Sequence, residues 1–313
     1  MLSFRVLPFE MRVKVLGSAA GGGFPQWNCA CSNCRRLRED AFSGVARTQL
    51  QLAWNGAPGQ WTLLNASPDL RLQIEATPDL RPQGDERNSP IHDVILTGAE
   101  VDQALGLLLL REFHAFRVHA TASVRRILTE DNSLFGVLAR FPGQVCWNDI
   151  PLDRPFSAGG ARLEALPIPG SFPGFVKAAR VAESNRAEAV IGLLVSPESG
   201  GGTLAFVPGI GCVSDALVAC LETCDILLFD GTFWTDDEPL RIPGLSRTAR
   251  QIGHLPVSGA GGTLERLAAL RCRRKIFIHI NNTNPILDQA SMAHRMVRES
   301  GWEVAWDGME ITL

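Results

Sequence analysis

The chain has 313 residues, with 30 Lys and Arg against 33 Asp and Glu and a hydrophobic content of 45%. That content is ample for a sizeable core, and the length suits one large domain or two small ones. A formal net charge of −3 argues against nucleic acid as the main partner. No apolar run approaches the roughly 20 residues of a membrane-spanning helix, and the longest, 104–110, reads as helix core. Residues 1–16 carry Arg5, Arg12 and Lys14 among only short apolar runs, which does not describe a secretion signal. Eight dispersed cysteines suit a reducing compartment, so the expected location is the cytoplasm.

In chain order, 12–16 alternates charged and apolar residues and predicts a strand. Met11, just before it, reads as an alternative start. Residues 15–34, VLGSAAGGGFPQWNCACSNC, carry the strongest local signal: an apolar run, a glycine-rich loop, then Cys29, Cys31 and Cys34. The spacing folds three thiols into one turn where they can face a single ion, and zinc takes tetrahedral sulfur and nitrogen ligands. A disulfide with a spare thiol suits small secreted chains instead. The glycine loop lacks the G-K-[ST] ending of a phosphate cradle and the G-x-G-x-x-G spacing of a dinucleotide site.

Residues 49–54 and 61–65 predict a hairpin turning at 55–59. Helices are expected at 68–76, 101–111, 123–128, 134–140, 215–223, 263–270 and 290–300. Strands are expected at 93–96, 162–168, 190–195, 203–207, 225–229, 275–279, 303–305 and 310–313. Residues 170–188 show no periodicity and read as a surface loop of the kind that covers a substrate. Residues 235–262 are also loop-rich. Early strands come as hairpins and later ones alternate with helices. This pattern predicts an α/β architecture of two mixed sheets face to face, with helices outside.

Three polar residues lie at the ends of predicted buried strands: Asp102 after 93–96, Asp230 in FDGT, and His279 opening HINNTNP. Such positions are where α/β sheets place ligands. Each has a plainer use: an Asp after a strand often caps a helix, and His279 beside Asn281 and Asn282 could be a hydrogen-bond hub.

The motifs VLGSAAGGGFPQWNCACSNC, RTQ at 47–49, NASPDLR at 65–71, GLLLLRE at 106–112, DGT at 230–232, GHL at 253–255 and HINNTNP at 279–285 resemble the coenzyme PQQ synthesis protein B family. The resemblance runs from about Met11 to Leu313. It implies a metallo-β-lactamase fold, a four-layer αββα sandwich, formed as one domain over 1–313 with 1–10 as an extension. It also implies a role in making pyrroloquinoline quinone (PQQ) from a precursor peptide. Two kinds of activity follow: iron-dependent hydroxylation of the tyrosine-derived ring, or non-catalytic carriage and transport of PQQ or its precursor. Expected partners are PQQ or that glutamate- and tyrosine-derived precursor, other proteins of the pathway, and a second copy of the chain.

By resemblance to related phosphodiesterases of this fold, His254 in the G-H-L run becomes the fourth ligand of a structural Cys₃His zinc site. The residues alone leave Cys146, Cys212 and Cys272 equally open. The fold's usual metal motif is H-x-H-x-D-H, and here that register reads 98-GAEVDQ-103. Gln103 replaces the last histidine, and a neutral amide is a poor substitute for imidazole on iron or zinc. Asp102 and His279 remain as weak ligands for iron or zinc, with Glu100 and Asp230 nearby, and Gln103→His is expected to strengthen the site. Arg47, Arg71 and Arg111, inside the family-like motifs, are candidates for binding ligand carboxylates, with Asn281 beside them. Their plainer use is to cap helices and pair with acids such as Glu112.

Overall fold

The computed structural model describes residues 10–40 and 44–313. Most of the expected 1–10 extension lies outside the described residues.

Two seven-stranded sheets form the frame. The first is laid down by Arg12–Gly17 (β1), Gln51–Ala57 (β2), Gln60–Leu64 (β3), Ile91–Ile95 (β4), Phe116–Ala120 (β5) and Val145–Asp149 (β6). The chain then crosses to build the second from Phe156–Ala158 (β7), Ala161–Pro167 (β8), Ile191–Pro197 (β9), Leu204–Val207 (β10), Ile226–Asp230 (β11), Arg274–Ile278 (β12) and Glu303–Val304 (β13). It returns once, and Glu310–Thr312 (β14) pairs antiparallel with β1. The orders are β14-β1-β2-β3-β4-β5-β6 and β13-β12-β11-β10-β9-β8-β7. Strands β3 to β6 run parallel to one another, as do β10 to β13. Both sets are linked by helical segments, as parallel crossovers require.

Alternation along the strands produces the layers. In β11, Ile226 and Leu228 face the core between the sheets, while Leu227 and Phe229 face the other way. Leu64 and Ile95 meet the central core from the first sheet, and Leu63 and Val94 face outward. The outward face of the first sheet is covered by Leu70, Val124, Ile127 and Leu128 of the helices Leu70–Ala76 and Ala122–Thr129. The second sheet is covered by Leu221, Leu267 and Val297. The arrangement is the expected αββα sandwich.

Three departures have local causes. The segment 101–111 is one α-turn, Val101–Ala104, followed by 3₁₀ turns over Leu105–Arg111. Ala66 N–H donates to Gln103 O and Ala66 O accepts from Gly106 N–H, so the neighbouring chain takes bonds a regular helix would keep. A Cβ at Gly106 would lie 2.3 Å from Ser67 O, so only glycine allows this docking. Residues 170–188 are not uniformly irregular, since Ala178–Glu183 is helical and Arg186–Glu188 forms a 3₁₀ turn. Strands β5, β6 and β7 had no counterpart in the sequence reading.

Candidate functional site

Parallel strands leave their C-terminal ends open at one rim, and a cleft of about 1050 Å³ lies there, with Asp102, His254, His279 and Glu100 in its wall. The loop after β4 is tied to the second sheet: Ile191 N–H donates to Thr97 O at 2.9 Å, and Gly98 bridges to Val190. That tie sets Asp102 opposite β12, and its Oδ2 lies 3.6 Å from His279 Nε2.

Asp230 ends β11 with no exposed surface. Its Oδ1 accepts from Thr232 N–H at 3.0 Å and Thr232 Oγ1–H at 2.6 Å, and its Oδ2 accepts from Ile210 N–H at 3.1 Å and His254 Nδ1 at 2.9 Å. Burial alone would raise this carboxyl, but the charge and hydrogen bond of His254, with His279 and Thr232, hold it below the ordinary carboxylate value. His254 shows the converse: burial opposes its charged form, yet Asp230 and the charge of Asp102 raise it. Asp230, His254 and His279 each place one ligand-type atom within 4.8 Å of the others.

Hydrogen-bond partners set which nitrogen of each ring is held. Thr232 has one hydroxyl proton, and its oxygen contacts Asp230 Oδ1, His279 O at 2.8 Å and His279 Nδ1 at 2.8 Å. The first two are acceptors only. The hydroxyl therefore accepts from His279 Nδ1–H, which leaves Nε2 as the nitrogen facing Asp102. Asp230 likewise takes the Nδ1–H of His254, so that Nε2 is the nitrogen not held by the fold. Hydrogen bonding through one ring nitrogen is how proteins orient the other toward a metal. The rings stack at 5.4 Å between centroids, and His279 holds a left-handed φ of 57°. Such a backbone costs of order 1 kcal/mol and persists where surroundings enforce it.

Glycines keep the walls bare. A Cβ on Gly21 would stand 3.5 Å from Asp102 Oδ2, and one on Gly209 would stand 3.3 Å from His254 Cε1. The glycine loop is pinned from the far end of the chain. Asp307 accepts from Ser18 N–H (3.0 Å) and Oγ–H (2.8 Å), and from Thr48 N–H (2.6 Å) and Oγ1–H (2.9 Å).

The cysteines form a second centre. Cys29, Cys31 and Cys34 bring their sulfurs within 4.8 Å of one another. The Asn282 carboxamide lies over all three, its Nδ2 at 3.1, 3.5 and 3.4 Å from the respective sulfurs. Asn33 Nδ2 donates to Asn282 O and Asn284 O, both at 3.1 Å, and so ties the cysteine helix to HINNTNP. Burial pushes the Cys34 thiol up to about 12.

The expectation of a Cys₃His set with His254 is therefore corrected: His254 is held by Asp230 in the cleft. Cys212 lines that cleft, Cys272 lies 3.3 Å from Cys224, and Cys146 is exposed on β6. Asn282 occupies the fourth corner instead. The three sulfurs are ligands of the kind zinc takes, and the Asn282 amide roofs them through its Nδ2. The clue was available, since Asn282 follows His279 by three residues, a spacing that lets one short segment serve two centres.

Gln103 borders the cleft, but its Oε1 accepts from Glu100 N–H at 3.2 Å and packs on Gly98, capping its own turn. It is not a free ligand facing Asp102. The arginine expectations are also corrected, for none of the three lines the cleft. Arg47 is buried, donates to Ser18 Oγ and Ala305 O, and burial lowers its guanidinium to about 10. Arg71 is exposed on the helix Leu70–Ala76. Arg111 donates to Leu108 O and pairs with Glu112 at 3.1 Å, its plainer use. Asn281 Nδ2 donates to Thr283 Oγ1 at 2.6 Å and braces its turn. Asn65 was read only as part of a motif. It is fully buried in the cleft lining with a φ of 66°.

Residues 60–280 match the family model described as a beta-lactamase superfamily domain, which agrees with the two-sheet sandwich and places the chain in that superfamily. Coenzyme PQQ synthesis protein B of Pseudomonas paraeruginosa is 42% identical over 311 residues, covering 97% of this chain and 100% of that protein. Its counterpart in Azoarcus sp. is 43% identical over 314 residues with the same coverage. The crystal structure of Zn²⁺-bound PqqB from Methylobacterium extorquens superposes with a TM-score of 0.89 at 38% identity, covering 96% of this chain and 100% of that one. A diphosphatase of the PhnP family shares the fold at a TM-score of 0.67 and 17% identity. The chain belongs to the coenzyme PQQ synthesis protein B family. Among its described residues, no helix is long and apolar enough to cross a membrane.

Proposed function

We propose that this chain acts in PQQ biosynthesis as an oxygen-dependent hydroxylase of a glutamate- and tyrosine-derived precursor, with iron held by His254, His279 and Asp102. The observation that carries this reading is the place of His254. With Asp102 and His279 alone, two ligands are too few for a catalytic metal. His254 supplies the third, and two histidines with one carboxylate form the donor set of non-haem iron oxygenases. Iron bound there would supply dioxygen activation. The chain's own residues do the rest: Asp230 and Thr232 fix both tautomers, the glycines leave room for substrate, and the buried carboxylate keeps His254 oriented.

The test is incubation of iron-loaded protein with the precursor, oxygen and a two-electron reductant such as ascorbate, so that the second oxygen atom leaves as water, following the product by mass. The expected product carries one added oxygen atom per event, and His279→Ala abolishes it. A precursor that binds but is recovered unchanged with iron and oxygen present would favour the carrier reading.

We assign the cysteine centre, with Asn282, to a structural zinc, a reading supported by the metal named for the Methylobacterium relative. Closed four-ligand sites stabilise folds rather than react. Cys31→Ser is expected to release the zinc and lower the melting temperature by several degrees. Retained zinc with unchanged melting would remove the assignment.

A further inference from the structure

A ligand bearing carboxylates meets acids in this cleft, because Glu100 and Asp102 are in its wall. Burial and the charge of Asp102 raise the Glu100 carboxyl. An anion settles there only if a cation answers it, and two arginines line the cleft, Arg247 and Arg250. Arg250 is engaged by the fold: its Nη2 donates to Ala260 O at 3.2 Å and Gly261 O at 2.9 Å. Arg247 is exposed, and no hydrogen bond or ion pair joins it to any described residue. Its guanidinium is the cleft cation left free for a ligand.

A second polar group in the same lining is unanswered. Asn65 Oδ1 accepts from Thr97 N–H at 2.9 Å and Thr97 Oγ1–H at 3.0 Å, while its Nδ2 has no partner among the described residues. A buried unpaired donor is costly, and the left-handed backbone at 65 adds to that cost. Such costs collect at functional sites, where a ligand repays them.

We infer that Arg247 is the carboxylate receptor of this cleft and that Asn65 Nδ2 donates a second hydrogen bond to the same ligand. The inference deepens the proposed function and rests on its placing of the reaction in this cleft. A planar guanidinium pairs bidentately with a carboxylate, whereas an amide N–H suits a single carbonyl or carboxylate oxygen. The ligand class is a small organic acid derived from amino acids, rather than a neutral aromatic.

The probes are PQQ and its trimethyl ester, titrated by calorimetry into zinc-loaded, iron-free protein. The acid is expected to bind more tightly than the ester. Arg247→Gln should weaken the acid by about tenfold to a hundredfold and leave the ester unchanged, and Arg247→Lys should recover part of the loss. Asn65→Asp keeps the acceptor for Thr97 but removes the donor. It should weaken the acid as well, with its melting temperature confirming the fold. Arg71→Gln should change nothing. Equal affinity of wild type for acid and ester, absence of acid binding, or an Arg247→Gln variant that binds the acid like wild type would each overturn the inference. Failure of the hydroxylase reading is separate: it would appear as acid binding through Arg247 without oxygen insertion.

Discussion

Each sheet contains a buried aspartate–histidine pair. Asp93 Oδ1 meets His119 Nε2 at 2.7 Å between β4 and β5, and Asp230 Oδ2 meets His254 Nδ1 at 2.9 Å beyond β11. As isolated pairs they are nearly alike. Their surroundings are not. Asp93 also takes Arg117 Nε at 2.7 Å and Nη2 at 2.6 Å, and the His119 ring lies alongside Phe156 at 6.3 Å. The carboxylate is saturated inside a sheet by Arg117 and His119. Asp230 stands at a strand's C-terminal end, where its imidazole faces a cleft shared with His279 and Asp102. The difference teaches that an Asp–His pair becomes a site through what lies beyond the second ring nitrogen, and that strand ends are where such space exists.

The comparison breaks most easily at the histidines. His254→Ala is expected to lower product formation per folded molecule by about 100-fold or more, and to lower the melting temperature as well, because it strands the buried Asp230 carboxylate. His119→Ala should destabilise the fold while turnover per folded molecule stays within about twofold. A His119→Ala protein that folds normally but is inactive would end the distinction.

A smaller effect sharpens the structural half. Burial would raise the Asp93 carboxyl, but hydrogen bonds from Arg117 and His119 hold it at about 2 against an ordinary 3.8. A depressed carboxyl stabilises the fold above its unfolded value, and that stability is lost as pH falls through the folded value. Asp93→Asn should therefore cost about 2 kcal/mol near neutrality, with the gap to wild type closing between pH 4 and pH 2. Urea unfolding across that range measures it, and a gap that does not depend on pH would mean that the Asp93 charge contributes nothing.

The smallest effect is expected at Gln103. Because its amide caps the turn, Gln103→His should change iron affinity by less than about threefold while removing a cap of roughly 1 kcal/mol. A tenfold gain in calorimetric titration would restore the reading of residue 103 as a displaced ligand.

These contrasts show how much was legible in the chain itself. Apolar runs such as ILLF in β11 announce buried strands whatever surrounds them, so the sandwich was largely readable. The short strands FRVHA and VCWND mix charge with apolar residues and carry no clean period, and they were missed. Asp102, Asp230 and His279 could be singled out in the sequence because Asp230 and His279 close strong strands and Asp102 lies in the turn after one. His254 was misplaced because residues 235–262 have no periodicity, so only tertiary packing decides which centre the loop reaches. Asn282 was overlooked because an amide is not an obvious zinc neighbour. Arg47 and Arg111 failed for a related reason: a motif preserves a residue but does not say which way its side chain points.

The Asp307 pin and the β14–β1 pairing have a consequence for synthesis. A ribosome delivers β1, the glycine loop and the three cysteines first, but their anchor comes with the last stretch of chain. Until then the first sheet has an open edge at β1, and Ser18 and Thr48 lack the carboxylate that takes their N–H and O–H groups. The cleft wall is therefore completed only when the last stretch of chain arrives. A product clipped before residue 307 would retain every ligand named above, yet it would enter quality control as an unfinished protein rather than a weakened one.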